Sequence, residues 1–281
     1  MSKKNSKEAR EVHLKNKCKQ NSSKCREENE MLRDEKKHSR VFRVNFRDVD
    51  QQHQLRMSSL VDFMQETANE HAQLLGFDFT NLKGEQAYYW IISRAKMQLD
   101  DVPKWQDNIR IETYPAGTDG LFSMRCFHIY NAQDKQIGYI LGNYILMDGQ
   151  THCPVRMRNL KGKLSELEWQ YEGEILPKLK APITQDKLDQ RTVRSGDIDS
   201  NAHMNNAHYI RWSTDMLSSE ELKKDCIKGI QTNYVKALIE GDTVKIIRGK
   251  DEEGNISIQG ISLDDKHIYW TTRIVMAVDR A

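Results

Sequence analysis

The stretch DIDSNAHMNNAHYIRWSTD, residues 197–215, aligns without a gap with an earlier one, DVDQQHQLRMSSLVDFMQET, residues 48–67, at an offset of 149 residues. Each copy reads Asp-x-Asp, a polar extended stretch, a large apolar residue, a small polar helix start and an amphipathic run. In the first copy Leu60, Phe63, Met64, Thr67, Ala68, His71, Leu74 and Leu75 fall on one helical stripe. Ser58 and Ser59 are suited to cap that helix, and Gly76 to stop it. In the second copy Tyr209, Ile210, Ser213, Met216 and Leu217 keep the helical spacing.

Working outward, strands follow the helix in both copies. KWQDNIRIETY (104–114) parallels IEGDTVKIIRG (239–249), and DKQIGYILGNYILMD (134–148) parallels DKHIYWTTRIVMAVD (265–279). In the last of these, Ile268, Trp270, Thr272, Ile274, Met276 and Val278 alternate as one face of a half-buried antiparallel strand. The breaks NAQDK and DEEGN read as hairpin loops. The pattern predicts an α+β protein of two tandem units, 41–155 and 191–281, each an antiparallel sheet wrapped around one long helix. Residues 156–190 join them, and the two copies are able to pair their sheets within one chain.

Composition narrows the class. With 38% hydrophobic and 30% charged residues in 281, a soluble globular protein is expected. No run approaches the roughly 20 apolar residues of a membrane span, so no stable membrane insertion is expected. The N-terminus has no apolar stretch of signal-peptide type and lacks the acid-poor character of an organelle transit peptide, which makes cytoplasm the expectation. Five scattered cysteines (18, 25, 126, 153, 226) fit reduced thiols rather than a zinc site.

The net charge of +2 conceals an asymmetry. Residues 1–40 carry 13 Lys/Arg and 7 Asp/Glu, whereas the other 241 residues carry 30 and 34. With only Val12, Leu14, Met31 and Leu32 as large apolar side chains, residues 1–40 read as a basic, disordered or loosely helical tail. Contact of this tail with nucleic acid or a membrane surface is the lesser reading, and Met31 is an alternative start.

The two copies differ where chemistry is concerned. Asp199 corresponds to Asp50, Asn201 to Gln52 and His203 to Gln54. The first copy has a histidine, His53, but one position out of register, which in an extended segment faces it away. Only the second copy presents an acid, an amide and an imidazole at alternate positions before a helix start. Backbone N–H groups there can polarise a carbonyl oxygen, and an imidazole beside them can act on water or a leaving group. An equally good account of these residues alone is that Asp199 and Asn201 shape a loop and His203 lies on the surface. At least one of Asn205 and Asn206 reads as a cap.

These residues resemble a known family. DIDSNAHMNNAHYIRW looks like the active-site block of acyl-acyl carrier protein thioesterases of the bacterial and plant fatty-acyl type. LVDFMQETANEHAQLLGF, WIISRAKMQLDDVPKWQDNIRIETY and YILMDGQTHCPVRM resemble its other blocks in order, so the likeness covers roughly residues 41–281. It implies a tandem hot-dog fold and hydrolysis of the thioester between a fatty acyl chain and acyl carrier protein. It also implies no metal or other cofactor. By the same match Asp199, Asn201 and His203 correspond to the family's catalytic aspartate, asparagine and histidine. Asn201 and His203 would then hold and polarise the thioester and the attacking water, and Asp199 would orient Asn201 or that water.

One position departs from the pattern. The family has a catalytic glutamate in a Tyr-x-x-Glu block, and here NYVKALIEGD places Ala237 there. Glu240, three residues on, is the alternative acid. Loss of a general base lowers rates by ~10²–10⁴-fold. Either another acid such as Asp199 activates the water, or the protein is a weakened enzyme that binds acyl chains; action on acyl-CoA is the further alternative. The basic run RMRNLKGK (156–163) is a candidate contact for acidic acyl carrier protein. Met57, Phe63 and Met64 are candidates for an acyl pocket, with core packing the plainer reading. Cys226 has no motif around it. A tandem repeat fits a monomer or a homodimer.

Overall fold

The computed structural model describes residues 37–75, 88–156 and 173–277. The tail over residues 1–36, the basic run from 157, Gly76 and Val278 lie outside the described residues. The strands are β1 (His38–Arg43), β2 (Tyr88–Leu99), β3 (Asn108–Asp119), β4 (Phe122–Tyr130), β5 (Gln136–Asp148), β6 (Pro154–Val155), β7 (Lys187–Thr192), β8 (Ile227–Tyr234), β9 (Thr243–Lys250), β10 (Ile256–Ser262) and β11 (Ile268–Met276). The helices are α1 (Met57–Leu74), α2 (Asn206–Thr214) and α3 (Ser219–Lys224). Among the described residues no helix is long and apolar enough to cross a membrane.

All strands join one antiparallel sheet in the order β1-β3-β4-β5-β2-β8-β11-β10-β9-β7, with β6 on β5. Replacing each strand by its repeat maps either half of this order onto the other. The halves meet where β2 pairs with β8, from Arg94 opposite Asn233 to Gln98 opposite Gly229. This is the tandem hot-dog arrangement, with the two sheets fused edge to edge. α1 packs on β1, β3 and α2, and one apolar core runs through both halves.

Several local expectations change. His38–Arg40, assigned above to the tail, begin β1, because they pair with β3 and their side chains reach Glu66 and Glu70 of α1. Lys187–Gln190, assigned to the connector, belong to β7. Ser58 and Ser59 lie buried inside α1 rather than capping it. The helix starts earlier because Arg56 donates its N–H to Asp48 O (2.9 Å) and accepts from Leu60 (3.1 Å). The second helix is short: after Thr214 the chain turns, and Ser218 opens α3 through a capping box with Glu221. β11 is buried on both faces at its centre, since Tyr269 and Thr271 are covered as well as Trp270, Thr272 and Ile274. Part of the outer face of the central strands is crossed by the connector. Asn143 bonds Glu174 O and the Leu176 N–H, while Gln231 bonds Pro177 O.

α3 is clipped to the sheet by a bidentate contact between Glu221 and Arg248. The Arg248 hydrogen bonds hold the Glu221 carboxyl down to about 2, from an ordinary 4.5. A depressed folded value means the stabilisation is fully present above about 4.5 and disappears as pH falls toward 2. Glu221 remains 35% exposed, so solvent screening limits the contribution to about 1–2 kcal/mol. Glu221→Gln should therefore lower stability by about that amount at pH 7. Urea titrations should show the gap to wild type closing in acid.

Candidate active site

The segment that carries the candidate chemistry is a closed turn and not an extended run. Asp199 donates its N–H to His203 O (2.8 Å), and Ala202 donates to Asp199 O (3.1 Å). The Asp199 carboxylate accepts the backbone N–H groups of Asn201 (2.8 Å) and His203 (3.3 Å). Ile198 and Met204 bridge at the base. Ala202 sits at φ 59°, in the left-handed region.

The first half repeats this turn almost atom for atom. Asp50 accepts from the backbones of Gln52 (2.9 Å) and Gln54 (3.0 Å), and Val49 bridges Leu55. There the left-handed position is His53, also at φ 59°, with its ring beside Trp105 and Phe46. The register argument about His53 holds, but the reason is turn geometry rather than strand alternation. Asp199 accordingly has a structural duty that Asp50 shares, and the residues unique to the second copy are Asn201 and His203.

A cleft of about 1110 Å³ lies along α1, closed on its other sides by β1 and its following turn, the N-terminus of α2, and side chains of β2 and β5. Asp199 and Asn201 line it together with Asn205, Asn206, Ala207 and His208. His203 is exposed and is not among the lining residues, so the structure brings two of the three matched residues to the cleft wall and leaves the third outside it. Asn201 Nδ2 lies 3.5 Å from Asp199 Oδ2, at the limit of a hydrogen bond.

Asn205 is the N-cap of α2, as expected for one of the two asparagines. Its side chain accepts from the Ala207 N–H (2.9 Å) and its carbonyl from the His208 N–H (2.9 Å). Two of the backbone donors expected to face a carbonyl are thereby engaged, and Asn206 N–H is left as the donor at the helix start. Gln65 of α1 donates to Asn205 Oδ1 (3.1 Å) and accepts from Asn206 Nδ2 (2.8 Å), fixing both amides from the other half of the chain.

Four further residues, Gln65 among them, were not singled out from sequence. His208 Nδ1 lies 3.0 Å from Asp197 Oδ1. Asp62 faces the same cleft, and its carboxyl is raised above the usual range, chiefly by burial, with His208 opposing the shift. Asp197 repeats Asp48, each accepting the N–H three residues before it, so its Asp-x-Asp repeat was a legible signal. Gln65 and Asp62 gave none, because a polar face on a helix looks the same whether it meets solvent or a cleft.

Ala237 lies exposed on the coil after β8. The coil is held against the turn by Met204 N–H on Leu238 O (2.8 Å) and by Leu238 N–H on Tyr209 Oη (2.9 Å). Burial pushes the Tyr209 phenol up to about 12, so it stays neutral. Glu240 is exposed on the next turn and does not line the cleft. Met64 and Phe63 do line it, whereas Met57 is packed in the core. Among the described residues no group of three His, Cys, Asp or Glu side chains is arranged to hold a metal ion.

Comparison with known proteins adds the following. Residues 35–159 match the acyl-ACP thioesterase N-terminal domain, and residues 180–268 the corresponding C-terminal domain. The chain is 22% identical over 226 residues to the chloroplastic oleoyl-acyl carrier protein thioesterase of Coriandrum sativum, covering 73% of this chain and 60% of that protein. It is 26% identical over 220 residues to the chloroplastic palmitoyl-acyl carrier protein thioesterase of Arabidopsis thaliana, covering 69% and 51%. The chain thus spans about 60% or less of the length of these relatives. Among solved structures, an acyl-ACP thioesterase from Bacteroides thetaiotaomicron superposes with a TM-score of 0.77 at 21% identity, covering 86% of this chain and 98% of that one. The 12:0-ACP thioesterase from Umbellularia californica gives 0.71 at 16% identity, covering 86% and 97%. At these identities the superpositions speak for the fold.

Proposed function

This chain belongs to the acyl-ACP thioesterase family, and from that premise we propose that it hydrolyses fatty acyl thioesters of acyl carrier protein, releasing free fatty acid in fatty acid biosynthesis. The observation that carries the reading is the meeting of Asp199, Asn201 and the start of α2 on one cleft wall. In the reaction, water adds to the thioester carbonyl carbon, the C–S bond breaks, and the departing sulfur takes a proton. The Asn201 amide and the Asn206 N–H are the donors available to the carbonyl oxygen as it gains charge. Asp199 fixes the backbone of the turn, and His203, exposed outside the cleft wall, would act only on water arriving from the solvent side.

Ala237 leaves the usual acid missing. The paired His208–Asp197 and the exposed Asp62 are the titratable groups at the cleft that support general-base work in its place. This favours an active enzyme over a mere acyl binder. Arg43 and Arg211 line the cleft and make no ion pair with described residues, which suits the phosphate of a phosphopantetheine arm and an acidic carrier. Because β2 and β8 already join the two sheets within one chain, a monomer suffices. Cytoplasm is the proposed location.

The test is hydrolysis by the purified chain, comparing acyl carrier protein and coenzyme A thioesters of equal acyl length. Release of acid from the carrier-protein thioesters is expected; turnover of only the coenzyme A forms would move the assignment to acyl-CoA. Ala237→Glu supplies a carboxylate beside Leu238, which is bonded to the turn. A gain of about 10-fold or more is expected if that acid is what the site lacks. An unchanged rate would assign base chemistry to other groups, His208 and Asp62 first.

A further inference from the structure

One contact between the halves is not duplicated with the rest of the fold. Gln65 of α1 meets the start of α2, donating from Nε2 to Asn205 Oδ1 (3.1 Å) and accepting from Asn206 Nδ2 (2.8 Å). At the offset of 149 the counterpart of Gln65 is Thr214, and those of Asn205 and Asn206 are Arg56 and Met57. Thr214 donates its hydroxyl to Arg211 O (3.0 Å) within its own helix, and Arg56 caps α1 without a side-chain hydrogen bond. Packing one helix on the other therefore does not require such a bridge. The bridge accompanies the copy that carries Asn201 and His203.

The backbone sets its polarity. The Ala207 N–H can only donate, so the Asn205 atom that receives it (2.9 Å) is the oxygen. Gln65 must then turn its NH2 group to that oxygen and its carbonyl to the NH2 group of Asn206. Flipping any one of the three amides sets oxygen against oxygen or nitrogen against nitrogen. All three side chains are half-buried and line the cleft. Within its own half the start of α2 is tied by Asn205 N–H on Asp197 O (2.9 Å) and by Tyr234 Oη on Asn206 O (3.4 Å). Gln65 adds the tie to α1, the helix along which the cleft runs.

We infer that Gln65 is a positioning residue, lent by the half without the chemistry to the half that has it. It acts through Asn205 and Asn206, holding the start of α2 at one setting against the cleft wall. The Asn206 N–H proposed above for the carbonyl oxygen is held with it. This inference rests on the thioesterase reading and adds a residue to its machinery. A displacement of about 1 Å at a reacting centre can cost about 10²-fold in rate, so loss of the bridge should be read in kcat.

Wild type, Gln65→Leu and Gln65→Glu are assayed on one carrier-protein thioester, with a urea titration of each. Gln65→Leu removes both hydrogen bonds at similar volume and should lower kcat by about 10–10²-fold with KM nearly unchanged. In Gln65→Glu the ionised carboxylate keeps the Asn206 contact but sets an oxygen against Asn205 Oδ1. Once protonated it offers one O–H donor and one carbonyl acceptor, the pattern of the glutamine it replaces. Its kcat relative to wild type should be low at about pH 8 and climb as pH falls toward about 5, where the half-covered carboxyl takes up a proton. The ratio for Gln65→Leu should stay flat. Asp62 and Glu66 of α1, Asp197 and Asp199 of the turn, and His208 and Arg211 of α2 lie around the bridge, and dividing by the wild-type rate at each pH removes the titration they share. Rates within about twofold of wild type in both variants would overturn the inference and leave the thioesterase reading standing. So would losses that only follow a lowered urea midpoint and do not recover in acid. Absence of hydrolysis by wild type would reject the reaction, and the inference with it. Should Gln65→Leu fail to fold, the acid recovery of Gln65→Glu decides.

Discussion

Asn201→Ala is expected to lower thioester hydrolysis by about 10²–10³-fold in kcat while leaving the unfolding transition unchanged. The amide is exposed on the cleft wall, and its side chain makes one marginal contact, to Asp199 at 3.5 Å. Its removal therefore costs the fold little and takes away the donor proposed above for the carbonyl oxygen. His203→Ala should lower the rate by about 10²-fold, as loss of a proton-transfer or water-orienting group does. Asp199 needs separate treatment, because its carboxylate holds the Asn201 and His203 backbones and alanine would loosen the turn itself. The repeat supplies the control: Asp50→Ala opens the same turn in the half without the chemistry. If Asp199→Ala and Asp50→Ala lower activity alike, Asp199 acts through the fold alone. Full activity in both Asn201→Ala and His203→Ala would remove the proposed site.

The largest expected effect on stability belongs to Trp270→Ala, about 3–5 kcal/mol, read from the urea midpoint at constant slope. Trp270 is 0% exposed and meets Tyr209 and Trp212 edge-on. Its ring occupies the space above Gly260, where a Cβ would come within 1.8 Å of Cζ3. Its indole N–H donates to Ser213 Oγ (2.9 Å), which donates to Thr272 Oγ1 (3.1 Å), itself 2.9 Å from Thr232 Oγ1. The mutation leaves both a cavity and a buried hydroxyl chain short of a donor, and the two losses add in the same direction. Because the chain ties α2 to β8 and β11, Asn205 and Asn206 should lose their placement too. Activity is expected to fall before global unfolding. A loss below about 1 kcal/mol would mean that the core refills the space.

The sequence by itself determined the duplication, the α+β class and the antiparallel strands, because helical and strand periodicities are local properties written in each segment. It also located the Asp199–His203 turn through its match to Asp50–Gln54, since an Asp carboxylate organises the backbone within four residues of itself. It misjudged what that alternation meant. Two-residue spacing reads as one face of a strand, but carboxylate capping and a left-handed residue curl the segment into a turn and carry His203 out of the cleft.

Tertiary structure alone decided the fusion of the sheets at β2 and β8, the crossing of the outer face by the connector, and the cleft between α1 and α2. The contacts that define the site link Gln65 to Asn205 and Asn206, about 140 residues apart. No local pattern distinguishes a glutamine on a solvated helix face from one that spans two halves of a chain. That distinction depends on which strand edges pair, and the pairing is settled by the whole core at once.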